Sequence, residues 1–223
     1  MILFERFAEL LEQELGQSAR QRLLFVIAGH NGAGKTTCYR IYLADNLPIP
    51  LEHINPDEIE KEIREALSDA ELSEEEFSEL ARREADQRRQ DLLDGDESFG
   101  FETVGSHPSK VEFIREARAR GYVVALLFVG LDSPETSKAR VAFRVSRGGH
   151  NVPEDRIYSR YPRVLECMHQ AIREATLALV VDNSADSDPD CPDYRPLAIF
   201  HRGVSVETSQ DIPEWAEVLN LAT

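Results

Sequence analysis

The stretch from 23 to 36, LLFVIAGHNGAGKT, constrains the fold of this chain more than any other segment. Its first half, LLFVIAG, is apolar and long enough for one buried strand. The pattern G-x-x-x-x-G-K-[ST] follows at 29–36, and the next residues, TTCYRIYLADN, are typical of a helix. A strand, a glycine-rich turn and a helix in this order predict a phosphate-binding loop at the carboxyl edge of a parallel sheet.

Each residue type in this loop has a physical reason. Glycines let the backbone curl until its N–H groups point at phosphate oxygens. Lys35 supplies a point charge for the β- and γ-phosphates, and the Thr36 hydroxyl can bind Mg²⁺. The alternative is a glycine turn with an incidental lysine, and His30 is interpreted as a loop-tip residue rather than a catalyst. The predicted nucleotide-binding residues of the loop are Gly29, His30, Asn31, Gly32, Ala33, Gly34, Lys35, Thr36 and Thr37.

Strand and helix signals alternate along the whole chain. The predicted strands cover 23–29, 51–55, 98–104, 122–130 and 177–184. This alternation predicts an α/β fold of the P-loop NTPase type, in which a mostly parallel, five-stranded sheet carries helices on both faces in three layers. The segments LAIFHRG and VSVET near the end are expected to form a small antiparallel addition.

No linker or break in composition demands a second domain, so a single domain is predicted over 1–223, and a monomer is expected. Its core is placed at about 22–184, a helical lid at about 138–163 and a C-terminal extension at about 185–223. Apolar residues at helical spacing in MILFERFAELLEQELG predict an N-terminal amphipathic helix that packs on the body.

The overall charge disfavours several classes of function. The chain has 25 basic and 41 acidic residues, a net charge of −16. General nucleic-acid binding needs a basic surface that neutralises phosphates, so neither nucleic acid nor an anionic membrane is an expected partner. There is no run of about eighteen apolar residues and no secretory signal, and the three cysteines show neither a disulfide framework nor a zinc spacing. A reducing cytoplasm is the expected location.

Acidic residues follow the second predicted strand and lie within the third. Asp57 comes two residues after the second strand, and Glu102 lies in FETVGS. In a parallel sheet these positions lie beside the phosphate loop. Asp57 can accept a proton from a substrate hydroxyl, or it can simply complement a helix dipole. Glu102 either faces a cleft, which we favour, or lies on a solvated face. Asp182 resembles the acid that closes a Walker-B-like strand, or an end-of-strand turn there places Asn183 against the nucleotide base.

Arginine is concentrated in one window, 138–163, which holds seven basic and two acidic residues. Two trios share the spacing i, i+4, i+7, namely Arg140, Arg144 and Arg147, then Arg156, Arg160 and Arg163. Each trio occupies one face of its own predicted helix, and Gly148-Gly149 forms a hinge between the two helices. Such a pair predicts a lid over phosphate, because the guanidinium fork bonds phosphate oxygens. The alternative is two solvated faces paired with local acids, which the shortage of acids weakens.

Together these motifs resemble those of one family, the zeta toxins, a group of P-loop kinases. The similarity is carried by the loop GHNGAGKT, NPDEI at 55–59, FETVGS at 101–106, GLDSPE at 130–135 and RVAFRVSRGGHNVPEDRIYSRY at 140–161, closed by VVDNS. It spans about residues 22–184, and the segment with arginines, paired glycines and histidine is its most specific part. NPDEI and the charged segment 73–94 depart from the founding toxins.

The resemblance implies an ATP-dependent phosphotransferase. Toxins of that family phosphorylate the 3′-hydroxyl of UDP-N-acetylglucosamine and so poison the synthesis of cell-wall precursors. The expected cofactors are ATP and Mg²⁺, and the expected partners are a hydroxyl-bearing acceptor such as a UDP-sugar and a cognate antitoxin protein. The alternatives are transfer to an antibiotic, a nucleoside or a polynucleotide end, and an ATP-binding switch without small-molecule transfer.

The resemblance also implies roles for individual residues. Lys35 and Thr36 handle ATP and Mg²⁺ during catalysis, and Asp57 of NPDEI takes the general-base position. Glu102 and Thr103 of FETVGS fall where the sugar-nucleotide acceptor is contacted.

The lid is expected to supply two arginines to the transferring phosphoryl group. In the founding toxins these are thirteen residues apart, and Arg147 and Arg160 have that separation. Their close competitors are Arg144, expected on the nucleotide, and Arg156, expected on the acceptor.

Overall fold

A computed structural model describes residues 2–16, 21–47, 49, 51–69, 71–185 and 192–221. In chain order its elements are α1 (Ile2–Gly16), β1 (Leu23–Gly29), α2 (Lys35–Tyr42), β2 (Glu52–Ile54), α3 (Pro56–Ala66), α4 (Glu74–Asp94), β3 (Phe99–Thr103), α5 (Ser109–Ala119), β4 (Val123–Gly130), α6 (Pro134–Ser146), α7 (Glu154–Glu174), β5 (Leu177–Asp182), β6 (Arg195–His201), β7 (Val204–Thr208) and α8 (Glu214–Glu217). The predicted alternation of strands and helices is confirmed.

The strands form one sheet in the order β2-β3-β1-β4-β5-β6-β7. The first five are parallel, and β6 and β7 are antiparallel to their neighbours. The sheet therefore has seven strands, and the prediction of five is wrong. The apolar run in β6 pairs with β5 and is buried, so the residues assigned to a C-terminal extension complete the sheet.

The sheet separates two apolar layers, because side chains alternate between its faces along each strand. On one face Phe25 and Ile27 of β1 pack with α1 and α2, and α1 buries Phe7 there as predicted. On the other face Val26 and Ala28 pack with α4, α5 and α7. The predicted three-layer α/β fold is confirmed.

Local caps fix where the helices next to the carboxyl edge of the sheet begin. The side chain of Asn55 accepts a hydrogen bond from the backbone N–H of Asp57 at 3.0 Å, and Pro56 opens α3. Ser73 and Glu76 form a capping box at the start of α4. These caps hold the first turn of α3 and the long α4 beside the ends of β1, β2 and β3.

None of the helices in the described ranges combines the length and the apolar character that a membrane span requires. Cys38 and Cys167 are buried free thiols, and Cys191 lies outside the described residues.

Candidate active site

A cleft of about 690 Å³ opens at the carboxyl edge of β1, β2 and β3. Its walls come from the phosphate loop (29–36), the start of α3, the inner face of α4 with the start of α5, and the lid, which consists of α6, α7 and the residues between them. The ends of the parallel neighbours β2, β3 and β1 converge here, as expected for a ligand site in an open α/β sheet. The volume falls in the range of roughly 300–1,000 Å³ that is usual for small-molecule sites.

The phosphate loop follows a backbone path that glycine adopts most easily. Gly32 has a φ of 73°, and a Cβ on Gly29 would meet the carbonyl of Val129 in β4. Lys35 is buried at the start of α2, where its Nζ donates to the carbonyls of Gly29 at 3.2 Å and His30 at 3.1 Å. The loop therefore holds a cation and the N-terminus of α2 at one end of the cleft.

Several predicted site residues converge on Lys35 from different elements. Burial lowers the pKa of Lys35, whereas the charges of Glu102 and Asp57 act to raise that pKa, and the charge of Arg144 lowers it again. Glu102 Oε1 lies 4.0 Å from Lys35 Nζ. The sequence analysis placed these groups near the phosphate loop, and the structure brings the four together from α2, β3, α3 and α6.

Thr36 and Glu102 together offer oxygen ligands to a metal ion. The Thr36 hydroxyl donates a hydrogen bond to Glu102 Oε2 at 2.7 Å. No group of three or more histidine, cysteine or acidic side chains in the described part of the chain could hold a metal. Mg²⁺ commonly takes one or two protein ligands and completes its shell with phosphates and water, so the pair fits Mg²⁺ that arrives with a nucleotide. Glu102 and Thr103 both line the cleft, and their contact with the acceptor stays a prediction.

Asp57 lies in the first turn of α3, but it does not cap the helix. Asn55 performs that role by accepting the backbone N–H of Asp57. The Asp57 side chain is exposed and lines the cleft, and within the described ranges its carboxylate has no hydrogen-bond or ion-pair partner. A carboxylate in this state is available to a substrate hydroxyl, as a general base must be.

Only some of the arginines of the lid line the cleft. The window arginines that line it are Arg144, Arg156, Arg160 and Arg163. Arg140 donates to the carbonyl of Ala185 at 2.8 Å. Arg147 follows the last residue of α6, and its guanidinium lies 4.6 Å from the centre of the Phe143 ring. The structure therefore does not bring Arg147 to the phosphate loop, and Arg144 lies there in its place. A role for Arg147 stays a prediction.

Two residues predicted to bind nucleotide, His30 and Asn183, have buried side chains that do not line the cleft. His30 is only 2% exposed, so its interpretation as a loop-tip residue is wrong. Its ring stacks on Tyr161 of α7 with 4.4 Å between the ring centres. Asn183 is also buried, and its Nδ2 donates to the carbonyl of Ala33 at 3.0 Å. Asn183 therefore supports the loop from behind, and it does not line the cleft.

Tyr194, directly before β6, also supports the loop, although no sequence motif indicated it. The Tyr194 hydroxyl donates to the carbonyl of Gly34 at 2.7 Å, and Thr37 hydrogen-bonds with Tyr194. Asp182, the candidate Walker-B-like acid, accepts from Arg195 at 3.0 Å and from the Trp215 indole at 3.2 Å. Its oxygens thus join β5 to the C-terminal elements.

A second cationic surface was also missed. We call it the far wall, and it consists of Arg82 and Arg89 of α4 and Lys110 of α5. Arg89 is 4% exposed and lies 4.8 Å from the centre of the Phe101 ring, and burial lowers its pKa to about 10. Burial, and then the charge of Arg89, lowers the pKa of Lys110 to about 8. Asp86 forms ion pairs with both, so two cations share one carboxylate and the wall keeps a net positive charge.

The sequence did contain a signal for the far wall. The buried residues of α4 repeat every four positions and are Phe77, Ala81, Ala85, Arg89 and Leu93. An arginine in an otherwise apolar helical stripe indicates a buried charge that has a specific reason to be there. The high charge of the remaining helix surface conceals this period.

Comparisons with known proteins agree with the fold. The AvrRxo1-ORF1:-ORF2 complex with ATP has a similar fold, with a TM-score of 0.65 at 16% identity over 98% of this chain and 69% of that chain. The PezAT chromosomal toxin–antitoxin system of Streptococcus pneumoniae has a TM-score of 0.52 at 15% identity over 80% of this chain and 76% of that chain. At such identities the likeness shows the fold alone.

An uncharacterized protein of Haemophilus influenzae is 33% identical over 63 residues, which are 28% of this chain and 45% of that protein. The chain thus matches less than half the length of that relative. The sequence model of the zeta toxin family, in contrast, matches residues 8–188. Because that match covers most of the chain, the chain belongs to the zeta toxin family.

Proposed function

We propose that the chain transfers the γ-phosphate of ATP to a hydroxyl of a sugar nucleotide, UDP-N-acetylglucosamine or a related UDP-sugar. The observation that carries the proposal is a single cleft lined by the lysine of the phosphate loop, an unpaired carboxylate and a separate cationic wall. Such a cleft suits two phosphate-bearing substrates, with a base available to the hydroxyl of one of them.

The ATP end of the cleft is built by Lys35, Thr36 and Arg144. In the free protein Lys35 is bonded to the carbonyls of Gly29 and His30, and phosphate oxygens would offer it stronger, charge-assisted hydrogen bonds. Mg²⁺ held by the Thr36 hydroxyl and Glu102 would neutralise part of the phosphate charge. This arrangement supports ATP with Mg²⁺ as the phosphate donor.

The transfer step uses Asp57 and the lid. Asp57 accepts the proton of the acceptor hydroxyl as the hydroxyl oxygen attacks the γ-phosphorus. The bond between the γ-phosphorus and the bridging oxygen of the β-phosphate breaks, and ADP leaves with that oxygen. Arg144 and Lys35 stabilise the negative charge on the transferred phosphoryl group, because both lie at this end of the cleft. The further lid arginines that line the cleft are Arg156, Arg160 and Arg163.

The far wall supports an acceptor that carries its own phosphates. Arg89 is buried, and it shares its only ion-pair partner in the described part of the chain, Asp86, with Lys110. A buried charge without a full counter-charge is costly, and an anion of the acceptor would relieve that cost. Arg160 and Arg163 add two more cations to the cleft lining. A free nucleoside or an uncharged antibiotic offers no such anion, so the far wall favours a sugar nucleotide over those alternatives.

A panel of acceptors tests the proposal. The protein is incubated with Mg-ATP and, separately, with UDP-N-acetylglucosamine, each of several related UDP-sugars, N-acetylglucosamine 1-phosphate, N-acetylglucosamine or uridine, and products are sought by mass spectrometry. We expect a gain of one phosphate on the UDP-sugar and little or none on the two uncharged acceptors. The absence of product on every UDP-sugar would refute the sugar-nucleotide assignment, and faster transfer to an uncharged acceptor would refute the role of the far wall.

Family membership and the fold shared with PezAT support a toxin with a cognate antitoxin protein as partner. Induced expression of the wild-type chain in a bacterial host is expected to stop growth, whereas the Asp57→Asn variant at equal expression does not. Equal growth of both cultures would contradict the toxin role and leave the transfer reaction to be judged by its own assay.

A further inference from the structure

One residue, Leu131, connects the phosphate loop with the lid through both of its backbone groups. Leu131 directly follows β4, and its N–H donates to His30 Nδ1 at 3.3 Å. Its carbonyl accepts a hydrogen bond from the Tyr161 hydroxyl at 2.8 Å. The rings of His30 and Tyr161 stack with 4.4 Å between centres and 19° between planes. We call these three residues the loop–lid link.

Both side chains of the loop–lid link stay uncharged near neutral pH. Burial, and then the charge of Lys35, lowers the pKa of His30 to about 3. Because Nδ1 accepts from Leu131, the ring proton of His30 lies on Nε2. Burial raises the pKa of Tyr161 to about 12, so its hydroxyl keeps the proton that it donates. The link is therefore a neutral, buried contact, and its two side chains have no proton to exchange with a substrate at physiological pH.

The residue before Tyr161 is Arg160, which lines the cleft. Burial lowers the pKa of Arg160, and the charges of Arg156, Arg82 and Arg163 lower it further. Within the described ranges Arg160 has no hydrogen bond and no ion pair. Its nearest charges are thus mostly of its own sign, and repulsion acts to turn Arg160 out of the cleft whenever no anion is bound.

The backbone of α7 gives little resistance to a movement of Arg160 out of the cleft. Pro162 lies inside α7, directly after Tyr161, and proline donates no backbone hydrogen bond. The turn that joins the arginine-bearing start of α7 to its buried remainder therefore lacks one helical bond. The hydrogen bond and the stacked ring of Tyr161 provide the nearest side-chain anchor to the body of the protein.

We propose that Tyr161 is a positioning residue that, with His30 and Leu131, holds Arg160 in the cleft before the substrates bind. The proposal rests on the proposed phosphoryl transfer, because it assigns Arg160 to the anions that take part in it. Tyr161 acts only through the arginine that precedes it, and ATP binding at the phosphate loop does not depend on it.

Steady-state kinetics of Tyr161→Phe test this role, since the variant keeps the stacked ring and loses the hydrogen bond to Leu131. We expect kcat to fall about fivefold, as for the loss of one buried hydrogen bond, with the KM for ATP changed less than about twofold. The matched control is Tyr158→Phe, on the exposed side of the same helix, for which kcat stays the same. An unchanged kcat in Tyr161→Phe, or an equal loss in the control, would overturn the proposal.

A double-mutant cycle with Arg160→Met shows whether Tyr161 acts through Arg160. In the Arg160→Met background the change Tyr161→Phe is expected to have no further effect on kcat. If the two losses multiply instead, Tyr161 acts by another route and the assignment is wrong.

Hydrogen–deuterium exchange of the free protein supplies a readout that needs no acceptor. Amides in 154–163 are expected to exchange faster in Tyr161→Phe than in the wild type, with no change in α5 or β4 and none in Tyr158→Phe. Unchanged exchange in 154–163 would contradict the link even if transfer is confirmed. If the wild-type protein transfers no phosphate to any acceptor, the proposed function is wrong. The exchange measurement does not depend on transfer, so it still tests the loop–lid link.

Discussion

At the scale of single residues, burial sets the charge state of the phosphate loop. His30 and Lys35 are both enclosed, but only Lys35 has carboxylates within reach that favour its charged form. His30 instead stays neutral and packs on Tyr161. The loop thus carries one cation toward the cleft and one uncharged ring toward the lid.

The depressed pKa of His30 predicts how stability depends on pH. Its pKa is about 3 in the folded protein and 6.5 in the unfolded chain, so the unfolded chain binds more protons between these values. Stability is therefore lost as the pH falls below 6.5. Between pH 7 and pH 5 the free energy of unfolding in urea is expected to fall about 2 kcal/mol more in the wild type than in His30→Asn. Parallel pH profiles of the two proteins would contradict the burial of a neutral His30.

Asp57 is expected to be required for transfer and dispensable for nucleotide binding. Asp57→Asn keeps the shape of the side chain and removes the base, so the rate of transfer falls by about 10²–10⁴-fold while the Kd for ATP is unchanged. Glu58→Gln is the matched control, because Glu58 lies in the same first turn of α3 but does not line the cleft. Equal losses in the two variants would mean that Asp57 serves only the helix dipole.

The two neighbouring arginines of the lid are expected to differ strongly. Arg144 lines the cleft beside Lys35, whereas Arg147 lies over Phe143. Arg144→Ala should lower kcat by at least about 10²-fold, in keeping with arginines that stabilise phosphoryl transfer. Arg147→Ala should lower kcat by less than about threefold, because exposed side chains outside a site contribute little. A larger loss of kcat in Arg147→Ala than in Arg144→Ala would show that Arg147 acts in transfer.

At the scale of secondary-structure elements, the buried side of α4 contributes both to the apolar layer and to the cleft. Ala81, Ala85 and Leu93 of its buried stripe pack in the apolar layer, and Arg89 of the same stripe lines the cleft. The remaining surface carries exposed ion pairs such as that of Arg83 with Glu79. The helix therefore places one buried cation on a rigid element instead of on a mobile loop.

Arg89→Met should separate acceptor binding from ATP binding. The substitution replaces a buried charge by an apolar side chain of similar length, which typically changes stability little. We expect the KM for the sugar nucleotide to rise about tenfold or more and the KM for ATP to stay the same. Arg83→Met, an exposed position on the same helix, serves as the control. A rise in both KM values would indicate general damage to the cleft.

At the scale of the whole molecule, the sheet connects β1 and the C-terminal strands with the site. β1 lies between β3 and β4, so the phosphate loop leaves a strand that is paired on both sides. β6 covers the edge of β5, and Tyr194, directly before β6, bonds to the loop. The segment predicted as an extension is thus needed for the geometry of the loop.

A chain shortened to residues 1–184 is therefore expected not to fold cooperatively. It would expose the edge of β5 and remove the buried side chains of β6, among them Ile199 and Phe200. Thermal unfolding followed by circular dichroism should show no sharp transition for the shortened chain. A transition within a few degrees of that of the full chain would contradict this expectation.

The sequence predicted most of the fold because its strongest signals are local. Apolar runs such as 23–29 and 122–130 coincide with fully buried strands, and caps such as Asn55 lie where α3 begins. The count of strands was wrong because the antiparallel addition predicted for LAIFHRG and VSVET was counted apart from the sheet. The pairing of β6 with β5 is a tertiary contact that a local pattern does not show.

Predictions of site residues from helical spacing were limited by where each helix ends. The i, i+4, i+7 spacing places Arg147 with Arg144 only if the helix continues, but α6 ends at Ser146 and the backbone turns there. Neither the far wall nor Tyr194 could be found in a short motif. The far wall reaches the cleft from α4 and α5, and Tyr194 reaches the carbonyl of Gly34 from the C-terminal residues, in both cases through tertiary packing. Asp57 and Glu102 were found because strand ends in a parallel sheet meet at one edge.

The origin of the far wall has a consequence for how such proteins can change. Arg82 and Arg89 belong to a helical stretch inserted between β2 and β3, whereas Lys35 and Arg144 come from the segments that follow β1 and β4. Under the proposed function, the cations that face the acceptor and those that face ATP lie largely in different stretches of the gene, although the base Asp57 of α3 also lies between β2 and β3. Replacing α4 while α3 is kept is expected to retarget the protein to a new metabolite and to leave Lys35, Arg144 and Asp57 in place.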